Sequence, residues 1–321
     1  MKIQFAPSVY EHAASLIGRS PWEVSRDADL MFAAQREGYL AYGHAPVVVG
    51  IDIYNLEAEA YGGVVVEPSG NGIPAIVEPL VSSARQGLDL PPFDPRRDGR
   101  IAMAVDVARR LWQEFPEADV RIPVSGPFSI AVSLRTVTGL LEDVMFDPGS
   151  TAAWLMQLAG NQAAFCRFVV DAGLDVAFFE SAAAPPLLSP TQFHDIELPA
   201  LERAMAVAAG ITGHPVPCVM GGDTTGILED ILSTGTGYVV CPFEAPDQAA
   251  WLAITADRPE VVVRINMDLR IVSGGSREAI LREVDRVLAL AATRPNCVLG
   301  TGALPYETPP ANVKLIKDYV D

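Results

Sequence analysis

Basic residues are scarce in this 321-residue chain: 23 Lys and Arg face 40 Asp and Glu, a formal charge of −17. A nucleic-acid backbone is neutralised by clustered cations, and no basic run or arginine–aromatic stripe is present. No nucleic-acid partner is expected, and the surplus acid reads as a solubility charge. Cysteine is scarce too, at Cys166, Cys218, Cys241 and Cys297, with no CxxC pair. That excludes a disulfide framework and fits a reduced cytoplasm. No apolar run is long enough to span a bilayer, so no membrane is expected as a partner. The opening "MKIQFAPSVYEHAASLIGRS" lacks a basic segment, a long apolar core and a small-residue cleavage site, so a cytoplasmic location is expected. No GxGxxG follows the first apolar strand, which argues against a dinucleotide site. There is no GxSxG, HExxH or Walker loop, and the four histidines give a Ser-His-Asp triad little support.

What is present is apolar and periodic. Half the residues are hydrophobic. Short continuous runs stand at 46–51, 120–125, 175–179, 216–220, 237–241, 261–266 and 296–301. Continuous rather than alternating runs suit parallel strands buried on both faces. Helical patterns fill the intervals at 100–116, 149–172, 191–211, 225–234, 246–256, 276–293 and 309–319. "SPTQF" places Pro190 at a first helical position, and Ser276 precedes an acidic first turn. Repeated βα units over one chain point to a (β/α)8 TIM barrel, here with seven clear strands and the eighth unassigned. Residues 1–321 read as one domain, with 1–44 as a helical lead-in. "GGVVVEPSGNGIPAIVEPL" reads as a hairpin, and with the Pro-rich loop behind it forms an insertion at 62–98, after the first of these strands.

In a barrel, function gathers where strands end. That rule selects Asp52, Tyr54 and Asn55 after the first run, and Ser125 and Gly126 after the second. It selects Glu180 after the third, as a base or metal ligand, then Gly221, Gly222 and Asp223 after the fourth. Asn266 follows the sixth run. Gly302 and Glu307 follow the seventh, where glycines leave room for a ligand. Plainer readings stand beside these: a helix cap for Asp52, a ligand-free turn for Ser125 and Gly126. His214 and Cys218 share strand parity, but Pro215 and Pro217 intervene. A metal pair of His214 with Cys218 or Cys241 is weighed against small buried thiols, and the buried thiols are preferred.

Taken together, "DIYNLEAEAYG", "VSGPFSIA", "LLSPTQFHDIELPAL", "GGDTTGILEDILSTG", "INMDLRIVSGGSREAI" and "GALPYETPPANV" resemble the uroporphyrinogen decarboxylase superfamily. The resemblance covers nearly the whole chain and is closest to the corrinoid-dependent methyltransferase branch. It implies a (β/α)8 barrel with the site at its C-terminal mouth. The Arg-Gln-Ala-Gly-Arg stretch of true porphyrinogen decarboxylases is missing. The methyltransferase branch implies zinc held by a His-x-Cys-Gly segment and a later Cys. Here those ligand positions fall on Val219, Gly221 and Ala303, so the usual zinc trio is absent.

The expectation is therefore a methyltransferase acting on a small methylated substrate, with the corrinoid carried by a partner protein. Glu180 is the expected acid or base, oriented by Asp52, Tyr54 and Asn266. Two other readings stay open: a decarboxylase or lyase, with Arg264 and Arg270 as candidate carboxylate binders, and a non-catalytic binding member. Oligomer statistics make a homodimer the default assembly.

Overall fold

The computed structural model describes residues 3–321. Eight parallel strands carry the fold: β1 (Gln4–Ser8), β2 (Val47–Val48), β3 (Val120–Ser125), β4 (Asp175–Phe179), β5 (Cys218–Val219), β6 (Tyr238–Cys241), β7 (Val262–Asn266) and β8 (Cys297–Ala303). They form two four-stranded sheets, ordered β1-β8-β7-β6 and β2-β3-β4-β5. A parallel bridge from Pro217 to Tyr238 joins the sheets at β5 and β6. On the opposite side β1 and β2 face one another without a ladder between them among the described residues. There the Gln4 side chain reaches Ala45 O at 3.5 Å. Side chains from β1, β2, β4, β5, β6 and β7 line one shared interior, which makes the two sheets the halves of a barrel.

Alternation along each strand sorts the side chains. Ala177 and Phe179 of β4 face the barrel interior, whereas Val176 and Phe178 pack under the helices. Arg264 of β7 faces inward, and Val263 and Ile265 face outward. The outer layer is a helical ring, and Trp154 and Trp251, the largest fully buried side chains, belong to the main apolar core. Burying one such large apolar side chain contributes on the order of 2 kcal/mol or more.

The eighth strand is β1. It lies inside the segment expected to be a helical lead-in, where helices occupy Tyr10–Leu16, Pro21–Arg26 and Ala28–Tyr42. The sequence "QFAPS" hides it: five residues, with a polar first position and a proline. The run at 46–51 is thus the second barrel strand, and only Val47 and Val48 of it pair. The insertion accordingly follows β2. Its hairpin pairs Val65 with Ile76 and Val66 with Ala75, antiparallel. All seven expected helical intervals contain helices. Others, among them Pro127–Arg135, Val137–Phe146 and Leu269–Gly274, lie outside those intervals, the first of them where Ser125 and Gly126 suggest a turn. In the 191–211 segment a Ser189–Gln192 capping box starts the helix, and Phe193–Glu197 forms a π-helical turn.

Candidate active site at the barrel mouth

A cavity of about 530 Å³ opens at the C-terminal ends of the strands. Its walls come from the ends of β1, β2, β4, β5, β6, β7 and β8, and Ile73, Pro74 and Ala75 of the hairpin form part of its rim. Most of the lining is apolar, including Ile51, Phe179, Val219, Met220 and Val240. Its polar groups are few, and most have an identifiable support.

Asp52 lines the cavity and is buried. Arg100 holds it bidentately, with Nη1 at 3.0 Å from Oδ1 and Nη2 at 2.6 Å from Oδ2. Asn55 Nδ2 donates to Oδ2 at 3.0 Å. Arg100 also pairs with Glu59 at 2.5 Å, and Glu59 pairs in turn with Arg26. Asp52 is thus already neutralised by a buried cation, and its role is to build the wall. Tyr54 donates to Ser181 Oγ at 2.7 Å, and burial pushes its hydroxyl pKa up. Gly221 N donates to the same Ser181 oxygen at 3.0 Å. Asn266 lines the cavity, and its Oδ1 is buried without a hydrogen-bond partner. Gly302 lines the cavity as well.

Other expected residues are turned elsewhere. Glu180 is fully buried but lies outside the cavity wall. Phe179 takes the inward position, so the next side chain points out toward the helices. There the Glu180 carboxylate accepts from Phe128 N at 3.1 Å, Ser129 N at 3.0 Å and Ser129 Oγ at 2.6 Å. These donors are the N-terminal turn of helix Pro127–Arg135, a natural anion seat. The carboxyl of Glu197 lies against it, and burial raises the pKa of both, with Glu180's charge raising Glu197 further. The pair is a buried carboxyl dyad behind the wall. Ser125 is committed to Glu57, donating from N at 2.7 Å and from Oγ at 3.1 Å. Gly126 sits under Glu180, where an added Cβ would meet Oε2 at 1.9 Å. Asp223 braces its own loop, accepting from Thr225 N at 3.1 Å and Oγ1 at 2.6 Å. Gly222 takes a positive φ of 80° in that loop, which favours glycine. Glu307 is exposed. None of Ser125, Gly126, Gly222, Asp223 and Glu307 contributes to the cavity lining.

The metal candidates are also separated. His214 is on the surface at the opposite end of the barrel, paired with Asp175 at 3.2 Å. Cys218 and Cys241 are buried on the outward faces of β5 and β6, and burial pushes both thiols up, that of Cys241 to about 12. Val219, Gly221 and Ala303, where the resemblance puts the zinc ligands, all line the cavity. Their side chains carry no lone pair, so this set does not fit zinc. Among the described residues no group of three or more His, Cys, Asp or Glu could hold a metal ion.

The residues that the sequence reading missed sit at and just after β1. Tyr10 and Glu11 begin the first helix and line the cavity with Ser8. Burial, and then the charge of Glu307, push the Glu11 carboxyl up to about 7, against a hydrogen bond from its own backbone. Burial pushes Tyr10 up to about 12, against the pull of Arg264. The sequence singles out Arg264 but gives it no direction. It is buried, faces inward, and donates from Nη1 to Ser8 Oγ at 3.0 Å. Arg270 points to solvent and pairs with Asp268 at 2.9 Å.

A parallel barrel with an apolar cavity at its C-terminal mouth and a few supported polar groups is the architecture of a small-molecule barrel enzyme. The model of the uroporphyrinogen decarboxylase (URO-D) family matches residues 3–321, and the chain belongs to that family. Among solved structures it is similar to a methyltransferase from Methanosarcina mazei, with a TM-score of 0.85 and 17% sequence identity. The similarity covers 99% of this chain and 94% of that one, and at this identity it speaks for the fold. No curated protein matches the chain by sequence.

Proposed function

We propose that the chain is a methyl-transfer enzyme, which takes a methyl group from a small oxygen- or nitrogen-methylated substrate and passes it to a corrinoid on a separate protein. The observation that carries the reading is Glu11. It is a carboxyl in an apolar cavity at the barrel mouth, with its pKa raised to about 7. Such a group is partly protonated near neutrality and suits general-acid work. When the methyl–oxygen or methyl–nitrogen bond breaks, its electron pair stays on the leaving atom. Glu11 supplies the proton that neutralises that atom. Acid assistance thus takes the place of the metal that Val219, Gly221 and Ala303 cannot bind. The corrinoid supplies the nucleophile that accepts the methyl group. A docked carrier would meet Val64, Ile73 and Val77 on the rim hairpin, which are exposed apolar side chains. Such a patch is what a partner surface covers.

Decarboxylation of a polycarboxylate finds less support. It would need several cations, and Arg264 is the one cation in the lining among the described residues.

The test combines the purified chain, chemically reduced cobalamin as acceptor, and a set of methyl ethers and methylamines. Loss of the reduced corrinoid's absorbance is expected with at least one donor. The rate should fall as pH rises above about 7, because Glu11 then loses its proton. Glu11→Gln should slow transfer by about 10²-fold or more. No corrinoid consumption with any donor, or a full rate in Glu11→Gln, would overturn the proposal.

A further inference from the structure

We infer that the cavity is built for a substrate with one carboxylate group and an apolar body, and that Arg264 binds the carboxylate. The inference deepens the proposed methyl transfer and rests on it only for the identity of the reacting end. Its own support is a cation without an anion. Arg264 is 7% exposed, and no carboxylate lies within ion-pair distance of it among the described residues. Ser8 Oγ accepts one of its hydrogens at 3.0 Å, the neutral Tyr238 hydroxyl lies beside it, and Nε is buried with no partner.

The other buried arginines are treated differently. Arg100 has Asp52 and Glu59. Arg294 donates to the carbonyls of Arg258, Val261 and Asn296. A buried guanidinium with so few acceptors is costly unless something supplies the charge. A planar carboxylate matches its fork of donors.

A second orphan stands beside it. Asn266 is two residues along the same inward face of β7; its Oδ1 is buried and unpartnered, an acceptor for a donor on the ligand, and its Nδ2 is the group that can donate to a carboxylate. Both side chains lie over Gly300 of β8. An added Cβ there would sit 2.4 Å from Arg264 Cγ and 2.6 Å from Asn266 Oδ1. The glycine makes space for the pair. Tyr10 keeps its hydroxyl protonated nearby as a further donor.

The charge count selects a monoanion. Arg264 is the single cation in the lining among the described residues, and the rim residue Glu244 repels a second negative charge. The remaining wall, with Ile51, Phe179, Val219, Met220 and Leu269, fits an apolar body.

The experiment is calorimetric binding to the full chain. Benzoate, hexanoate and 3-methoxypropanoate are compared with their neutral amides, which differ from them in charge and little in shape. At least one carboxylate should bind ten-fold or more tightly than its amide. Arg264→Met should erase that preference while near-UV circular dichroism stays unchanged. If that variant does not fold, the carboxylate–amide comparison on the unaltered chain decides alone. Equal binding of acid and amide, no binding of any carboxylate, or a preference kept in Arg264→Met would each overturn the inference. Carboxylate binding without methyl transfer would sink the proposed reaction and leave the binding site standing. Transfer from neutral donors without a carboxylate preference would do the reverse.

Discussion

Asp52 and Glu180 show how a carboxylate at a strand end is assigned work by its neighbours. Asp52 is gripped by Arg100 and belongs to a chain of charges that runs from the buried Arg100 out to the partly exposed Arg26. Removing one partner from a buried pair strands the other, at a cost of about 3–5 kcal/mol. Asp52→Asn should therefore lower stability by an amount of that order in a denaturant melt, and a change below ~1 kcal/mol would contradict the buried grip. The same residues show what was legible. The strand-end rule picks out Asp52, Tyr54, Asn55, Gly221, Asn266 and Gly302, which line the cavity, and Ser125, Gly126, Gly222, Asp223 and Glu307, which do not. It fails for Glu180 because it ignores parity: Phe179 points in, so Glu180 points out. In the structure Cys218 points out and Val219 points in, as strand alternation requires, but Met220, of the same parity as Cys218, lines the cavity beyond the strand's end. Glu11 was hidden for another reason. Its position has meaning only once Gln4–Ser8 is known to be a strand, and that depends on pairing with residues almost the whole chain away.

At the level of elements, helix Pro127–Arg135 shows a local interaction closing a long-range one. Its first turn would leave N–H groups unpaired, and Glu180, the residue after β4, fills that place. Gly126 permits the approach, since any side chain there would collide with the carboxylate. Gly126→Ala should push Glu180 away from the helix and destabilise the protein by about 1–3 kcal/mol, the usual cost of overpacking. A thermal melt checks this, and an unchanged midpoint would show that the dyad is easily displaced. The helix itself was missed because "SGPFS" reads as a turn, although Pro127 occupies a favoured first helical position. The seven helices found from periodicity have clear polar faces or caps. Helix Pro127–Arg135 follows at once on a strand end, and that junction disguises it.

For the whole molecule, buried acids set a pH dependence. Glu11 and Glu57 are raised by burial to about 7, and the Glu180–Glu197 pair is also shifted upward by burial. In an unfolded chain these groups titrate near 4.5. The folded state holds their protons more tightly, so their contribution is fully present below about 4.5. It is lost as pH rises through about 7. Every tenfold gain in proton affinity on folding corresponds to about 1.4 kcal/mol. The melting temperature should fall between mildly acid and alkaline buffer, and Glu57→Gln should flatten the decline. A melting temperature that rises over that range would refute this role for the buried acids. The acids shifted the other way, such as Asp147 and Asp268, act below the ordinary carboxylate range and do not compete in this window.

The pairing of β1 with β8 has a consequence for how the protein comes into being. Ser8 N donates to Thr301 Oγ1 across a separation of 293 residues, and the same serine steadies Arg264. On a ribosome, Tyr10 and Glu11 emerge early and wait beside a half-built cylinder until β8 arrives to clasp β1. Contacts so distant in sequence form late, because the entropy of closing the loop is lost before they stabilise anything. The pocket is therefore among the last parts of the molecule to exist, and a nascent chain stalled before residue 297 would carry most of a barrel and no site.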